Sequence, residues 1–252
     1  MSPDPSSGGD SKAGYYFYDL NAKVNYELGT RNKLYLSGYF GRDRFYSDDK
    51  KQGSAVGLNW GNATATLRWN HLFSQRLFSN TSLIFSNYKF LISSDEKSFQ
   101  DEDAFSLRYS SGIRDFSLKH DIDFYPSPRH SLRFGFQSTL HRFTPNAVVI
   151  KNIGINQFSE DIESIQVLES GLYAEDTWQP HRRLKINGGL RLSHFLHNRV
   201  SYLRPEPRIS LAYVLKPELS VKASYALMNQ YVHLLSNTGI GLPTDLWVPT
   251  TD

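Results

Sequence analysis

The sequence predicts an all-β chain: an antiparallel up-and-down transmembrane β-barrel segment of about ten long strands, with short turns at one end and longer loops at the other. Three observations carry that prediction. Apolar and polar residues alternate with a period of two over stretches of about twelve residues, roughly twice the length typical of a soluble strand. Within each stretch one face is apolar and the other carries charges and amides. Turn-forming clusters of a few residues also alternate with longer polar segments, a sorting that a soluble sandwich does not need.

Composition bounds the rest. The 252 residues carry 28 Lys+Arg against 25 Asp+Glu, a balance that gives no reason to expect a nucleic-acid partner. Aromatics at 14% speak against disorder, and zero cysteines exclude disulfides, thiol catalysis and cysteine-ligated metals. No aliphatic run approaches the ~20 residues of a membrane helix, and the mean hydropathy is −0.46. A transmembrane strand needs only ~9 to 11 residues, apolar at every second one, so low hydropathy does not exclude a membrane.

The first 14 residues, opening Met1-Ser2-Pro3-Asp4, have no basic or apolar signal-peptide regions and read as a flexible stretch. Tyr16, Tyr18, Leu20, Ala22, Val24, Tyr26 and Leu28 then face one way, with Asp19, Lys23 and Glu27 on the other face. Gly29 to Asn32 turn the chain into a second strand through Leu34, Leu36 and Phe40. A polar loop from Tyr46 to Ser54 follows, then a third strand through Ala63, Ala65, Leu67 and Trp69. A short turn and a fourth strand, about Leu77 to Ile92, lead to a charged loop at Ser93 to Asp103.

In the fifth strand Phe105, Leu107 and Tyr109 keep one parity, and Phe116, Leu118, Ile122 and Phe124 the other, which predicts a bulge near Gly112. Pro126 and Pro128 set a tight turn before a sixth strand through Leu132, Phe134, Phe136 and Leu140. Residues 145 to 166 read as the longest interior loop. Strands at about 167 to 178 and 184 to 196 follow, then a longer connection near residue 201. The last two strands lie at about 206 to 215 and 219 to 229, so that 15–229 forms the barrel segment and 230–252 a loop of extracellular type.

The charged face is too polar for a dry core, since Arg68, Arg133, Lys185 and Arg191 need water or partners. On this reading Leu190→Arg is costly on a lipid face and Ser193→Arg mild on the other. Rings gather at strand ends (Tyr15 to Tyr18, Phe45-Tyr46, Phe124-Tyr125, Trp178), where an amphipathic ring straddles an interface.

In this order, YYFYDLNAKVNYEL (15 to 28), KLYLSGYFGRD (33 to 43), WGNATATLRWNHLFSQRLFSNTSLIFSNY (60 to 88), GLYAEDTWQ (171 to 179), EPRISLAYVL (206 to 215) and VKASYALMNQYVHLLSNTGIGLPTDLWVPT (221 to 250) resemble the barrel of TonB-dependent outer-membrane receptors. The resemblance implies a barrel of about 22 strands filled by a plug, whose energy-coupling box reaches TonB to drive uptake of siderophores, cobalamin or glycans. It implies no enzyme and no cofactor, an outer-membrane location, lipid around the wall and a small-molecule or glycan ligand. Neither plug, coupling box nor signal peptide is recognisable here, so the sequence reads as an internal barrel segment with open edges at residues 16 to 28 and 219 to 229.

Two alternatives remain at this stage. A self-standing ten-stranded outer-membrane barrel, an omptin-like protease or a channel, requires the first and last strands to pair. A soluble β-sandwich binding module is the other. For catalysis, His120, Asp121 and Asp123 sit near the short-turn end, and His194 and His197 are three apart, hence on opposite faces. His141 has Asp161 and Glu163 as acids in the following loop. Asp48-Asp49 and Asp101-Glu102-Asp103 lack calcium-loop spacing, and Gly188-Gly189 and Gly239-Ile240-Gly241 open no helix; no metal site is expected. In the C-terminal loop Tyr231 and Trp247 are the candidate ligand-binding rings, the resemblance being to rings that outer-membrane receptors present to ligands.

Overall fold

The computed structural model describes residues 11–50, 52–96, 105–152, 164–237 and 244–250. Ten strands form one antiparallel sheet: β1 (Ser11–Leu28), β2 (Asn32–Asp49), β3 (Ser54–Ser74), β4 (Leu77–Glu96), β5 (Phe105–Ser127), β6 (His130–Asn152), β7 (Ile165–His181), β8 (Leu184–His197), β9 (Val200–Lys216) and β10 (Leu219–Ala226). Each strand pairs with its neighbour in sequence, so the sheet is a pure meander from β1 to β10. A second, two-stranded sheet follows, β11 (Val232–Asn237) with β12 (Thr244–Pro249). Among the described residues β1 and β10 lie at opposite ends of the sheet and do not pair, which removes the edge closure required of a self-standing ten-stranded barrel.

Register fixes the two faces. Val24, Leu36, Leu67, Leu83, Leu118 and Ser138 stand in one cross-strand row, and the next rows bring Phe40 beside Ala63 and Phe116 beside Leu140. This apolar face continues through Leu172, Leu192, Leu190 and Ile209. Its side chains are open, Leu20 at 65% and Leu83 at 55% exposure, whereas hydrophobic burial is concentrated on the opposite, polar face. At the short-turn end the belt closes on rings: Trp69 Nε1 donates to Asn32 Oδ1 at 3.0 Å, and Trp178 stacks on His130, itself 2.7 Å from Asp176.

The strands outrun the belt. β5 and β6 have 23 residues each, about 75 Å at ~3.3 Å per residue, far more than the ~25 Å apolar band of a membrane barrel requires. The polar segments read as loops near residues 50 and 201 are therefore ladder. β2 continues to Asp49 and β3 starts at Ser54, while β8 passes to β9 through Asn198 and Arg199 alone, with Asn198 at φ 50° in the left-handed region asparagine tolerates. Ser11 to Gly14 belong to β1, residues 1–10 lying outside the described residues, and the segment after 230 contains the β11–β12 hairpin. Backbone pairing needs no apolar side chain, so strand ends in water carry no hydrophobic alternation to betray them.

The parity change in β5 has two parts. A register irregularity does fall between Ser110 and Gly112 in the β5–β6 ladder, where Pro145, which has no N–H to donate, interrupts β6. The β4–β5 ladder passes the same point unbroken. Across it Tyr109 pairs with Ile92, Ile92 with Leu58 and Leu58 with Phe45, so the apolar residues of four strands change face at one level. The switch is shared by β2 to β5.

Candidate functional site

The polar face is organised by cross-strand pairs. Near the short-turn end Arg133 Nε donates to Asp123 Oδ1 at 2.8 Å, Lys119 Nζ lies 3.3 Å from Asp121, and the hydroxyl of Tyr173 also reaches Asp121. Arg68 lies over the ring of Tyr35, 4.6 Å from its centroid. Towards the loop end rings collect on this face: Tyr15 stacks on Trp60, and Phe90 meets Tyr109 edge to face.

A chain of charges crosses from β5 to β9. His141 Nδ1 is 2.8 Å from Asp115 and Nε2 4.0 Å from Glu169. Arg191 follows, with Nη2 3.5 Å from Glu169 and Nε 3.8 Å from Glu206. The Glu206 side chain is only 6% exposed, and its Oε1 accepts from both the backbone N–H and the side-chain amide of Asn229, each at 3.2 Å. One buried carboxylate thus ties β9 to the segment leaving β10.

That tie sets the chain's return. Two residues after Asn229, Tyr231 lies against the sheet, its ring 5.0 Å from Phe195 at 19° and 6.4 Å from Tyr202 at 10°. Phe143, Val167, Phe195 and Tyr231 form the buried hydrophobic cluster. The hydroxyl of Tyr231 is 2.9 Å from Ser193 Oγ, and its carbonyl accepts from the backbone N–H of Thr250 at 2.8 Å. Tyr231 is thereby the root of the β11–β12 hairpin, whose second strand neighbours β5 and β6.

Of the two candidate rings, Tyr231 is 5% exposed, packed into the sheet. Trp247 pairs by its backbone with Leu234 on β11; its side chain lies outside the described residues. Ser193 is 1% exposed beneath Tyr231, so an arginine there is not the mild change its polar-face position suggested. The partners of His141 are Asp115 and Glu169, whereas Asp161 and Glu163, like Asp101 to Asp103 and Gly239 to Gly241, lie outside the described residues. Sequence missed Asp115 because a cross-strand partner is known only once register is fixed. His120 stands on the apolar face with Thr81, and His194 pairs with Ser201 while His197 Nδ1 donates elsewhere, to the backbone carbonyl of Gln166. Asp48 and Asp49 end β2. Among the described residues no three His, Cys, Asp or Glu side chains converge as a metal site, and the ion-pair partners of His141 are both carboxylates.

The model of a family described as TonB dependent receptor-like, beta-barrel matches residues 2–227. The chain belongs to that family. TonB-dependent receptors are outer-membrane proteins that bind small-molecule ligands such as siderophores, and they are transporters, not enzymes. BauA, the ferric preacinetobactin receptor of Acinetobacter baumannii, superposes with a TM-score of 0.58 at 12% identity, over 90% of this chain and 40% of its own. FecA, a ferric citrate transporter in its unliganded form, gives 0.45 at 12% identity, over 87% and 42%. No curated protein matches. The chain thus spans about two-fifths of the solved receptors it resembles.

Proposed function

We propose that this chain forms ten strands of the wall of an outer-membrane receptor that takes up a siderophore, cobalamin or glycan-type ligand, with TonB acting through a plug elsewhere in the same receptor. The observation that carries this reading is the pairing of a lipid-side belt with a charged inner face on which a returning hairpin is held by Glu206, Asn229 and Tyr231. A structural wall needs only the belt. A hairpin anchored over the lumen supports a role in meeting cargo.

The rings of Tyr15, Trp60 and Tyr109 on the inner face at the loop end, the last backed by the buried Phe90, favour a ligand with flat apolar faces, a chelating aromatic or a sugar ring. In this reading Tyr231 serves the ligand by positioning the hairpin, and Trp247, on its second strand, is the candidate contact. The siderophore class is supported further by BauA, at the level of fold.

Uptake of ferric citrate, a ferric catecholate, cyanocobalamin and a maltooligosaccharide by cells with and without the receptor tests the proposal. One probe is expected to lose receptor-dependent uptake when TonB is deleted, and Trp247→Ala to lower it about tenfold at unchanged surface level. Uptake that is indifferent to TonB would refute active transport.

A further inference from the structure

We propose that the lipid-side surface carries a binding site for a phosphate-bearing lipid of the outer leaflet, built on β2 to β6 where the belt ends; the inference rests on the outer-membrane reading above. Its centre is one cross-strand row: Arg42 on β2, Gly61 on β3, Lys89 on β4, Gly112 on β5 and Thr144 on β6. The adjacent row, one step nearer the belt, adds Arg114 and Arg142. All lie on the same face as Phe40, Phe85, Phe116 and Leu140, immediately beyond them towards the loop end.

Cations alternate with glycines in that row, and the missing side chains leave hollows between them. One depression of about 410 Å³ lies between Arg42 and Lys89, with Asn59, Gly61 and Asn87. A second, of about 320 Å³, lies between Lys89 and Arg114 and Arg142, with Gly112 and Thr144. A Cβ on Gly61 would meet the carbonyl oxygen of Gly41 at 2.7 Å, and one on Gly112 that of Tyr88 at 2.7 Å, so the backbone itself holds these positions bare.

The charge has no counterpart in the sheet. Among the described residues none of Arg42, Lys89, Arg114 and Arg142 has an acidic partner within ion-pair distance. Arg42 and Arg114 donate only to the neutral amide oxygens of Asn59 and Asn87, at 2.9 and 3.2 Å. Arg114 and Arg142 are direct cross-strand partners, an arrangement of like charges that destabilises a sheet unless an anion lies between them. Guanidinium groups and an ammonium at a membrane surface suit phosphate, which Arg binds bidentately and Lys as a point charge.

The belt completes the site. Directly on the short-turn side of these cations is an apolar depression of about 540 Å³ between Leu36, Ala65, Leu83, Phe116 and Leu140. A hollow for acyl chains beneath two cation-walled hollows fits an amphiphile whose head carries phosphate, and a free phosphate ion leaves the lower hollow unused.

The test measures binding of purified lipid A and of its enzymatically dephosphorylated form to the whole receptor in detergent. Wild type is expected to prefer the phosphorylated form at least tenfold, and Arg42→Gln/Lys89→Gln/Arg142→Gln to weaken lipid A binding on the order of a hundredfold, roughly fivefold per charge. Lys89→Arg, which keeps charge, should retain affinity and guards against a folding artefact. Equal binding of the two lipids, unchanged affinity in the triple variant, or displacement by millimolar inorganic phosphate would each overturn the proposal. Failure of the outer-membrane reading shows separately, as tolerance of Leu190→Arg in the belt.

Discussion

In β2 to β5 most of the large apolar side chains stand on one face on the short-turn side of Ala63 and, towards the loop end, most stand on the other. Leu67, Leu83 and Leu118 are neighbours in one half, and Leu58, Ile92 and Tyr109 in the other. The β2–β3, β3–β4 and β4–β5 ladders run unbroken through this level, so hydrogen bonding does not decide which face is apolar. On the proposed outer-membrane reading surroundings do: a face turned to lipid carries the apolar belt, and where the outside is water the rings turn inward and cations and amides take their place.

Substitutions that ignore this inversion have effects graded by position. The largest is expected at the buried cluster of the inner face, where Phe195→Ala removes a fully enclosed ring from beneath Tyr231 and costs about 3 to 5 kcal/mol in urea unfolding of the refolded receptor. A loss below about 1 kcal/mol would mean that the returning segment does not pack there. Next comes Leu190→Arg, at ~2 to 4 kcal/mol on the lipid side. Ser193→Arg, only three residues on and facing inward, should cost ~1 to 3 kcal/mol by displacing Tyr231 and should raise protease cleavage within the hairpin.

Glu206→Gln sharpens the comparison more finely. It keeps the shape and leaves Arg191 without that carboxylate, for a loss of ~1 to 3 kcal/mol. Faster amide exchange at Asn229 and Thr250 but not in β2 is the expected signature; uniform exchange would show that Glu206 does not anchor the hairpin. Smallest is Tyr231→Phe, which deletes one hydroxyl contact to Ser193 and should cost about 1 kcal/mol.

Ten strands, their order and the two faces within the belt were legible because alternation over Tyr18 to Leu28 or Leu184 to Leu196 is a local signal. The loop-end halves were legible only in part, as in Phe105, Leu107 and Tyr109 of β5. Arg42, Asp43, Arg44 and Phe45 have no apolar stripe, and Asn198-Arg199 makes in two residues a turn that the polar run around 201 disguised. The charge chain from Asp115 to Glu206 joins residues 91 positions apart through four ladders, and its members meet only when every register is set. Tyr231 was recognised as a notable ring, but its packing against Phe195 depends on the chain reversing after β10, which no local pattern announces.

The central claim is that the sheet inverts its faces at one level, and two positions on one face of one strand test it. Leu83 and Leu91 share the lipid-side face of β4, one inside the belt and one beyond Lys89. In the refolded receptor, urea titration of Leu83→Arg and Leu91→Arg should give losses of ~2 to 4 and ~0 to 1 kcal/mol respectively. Equal losses at the two positions would contradict the account.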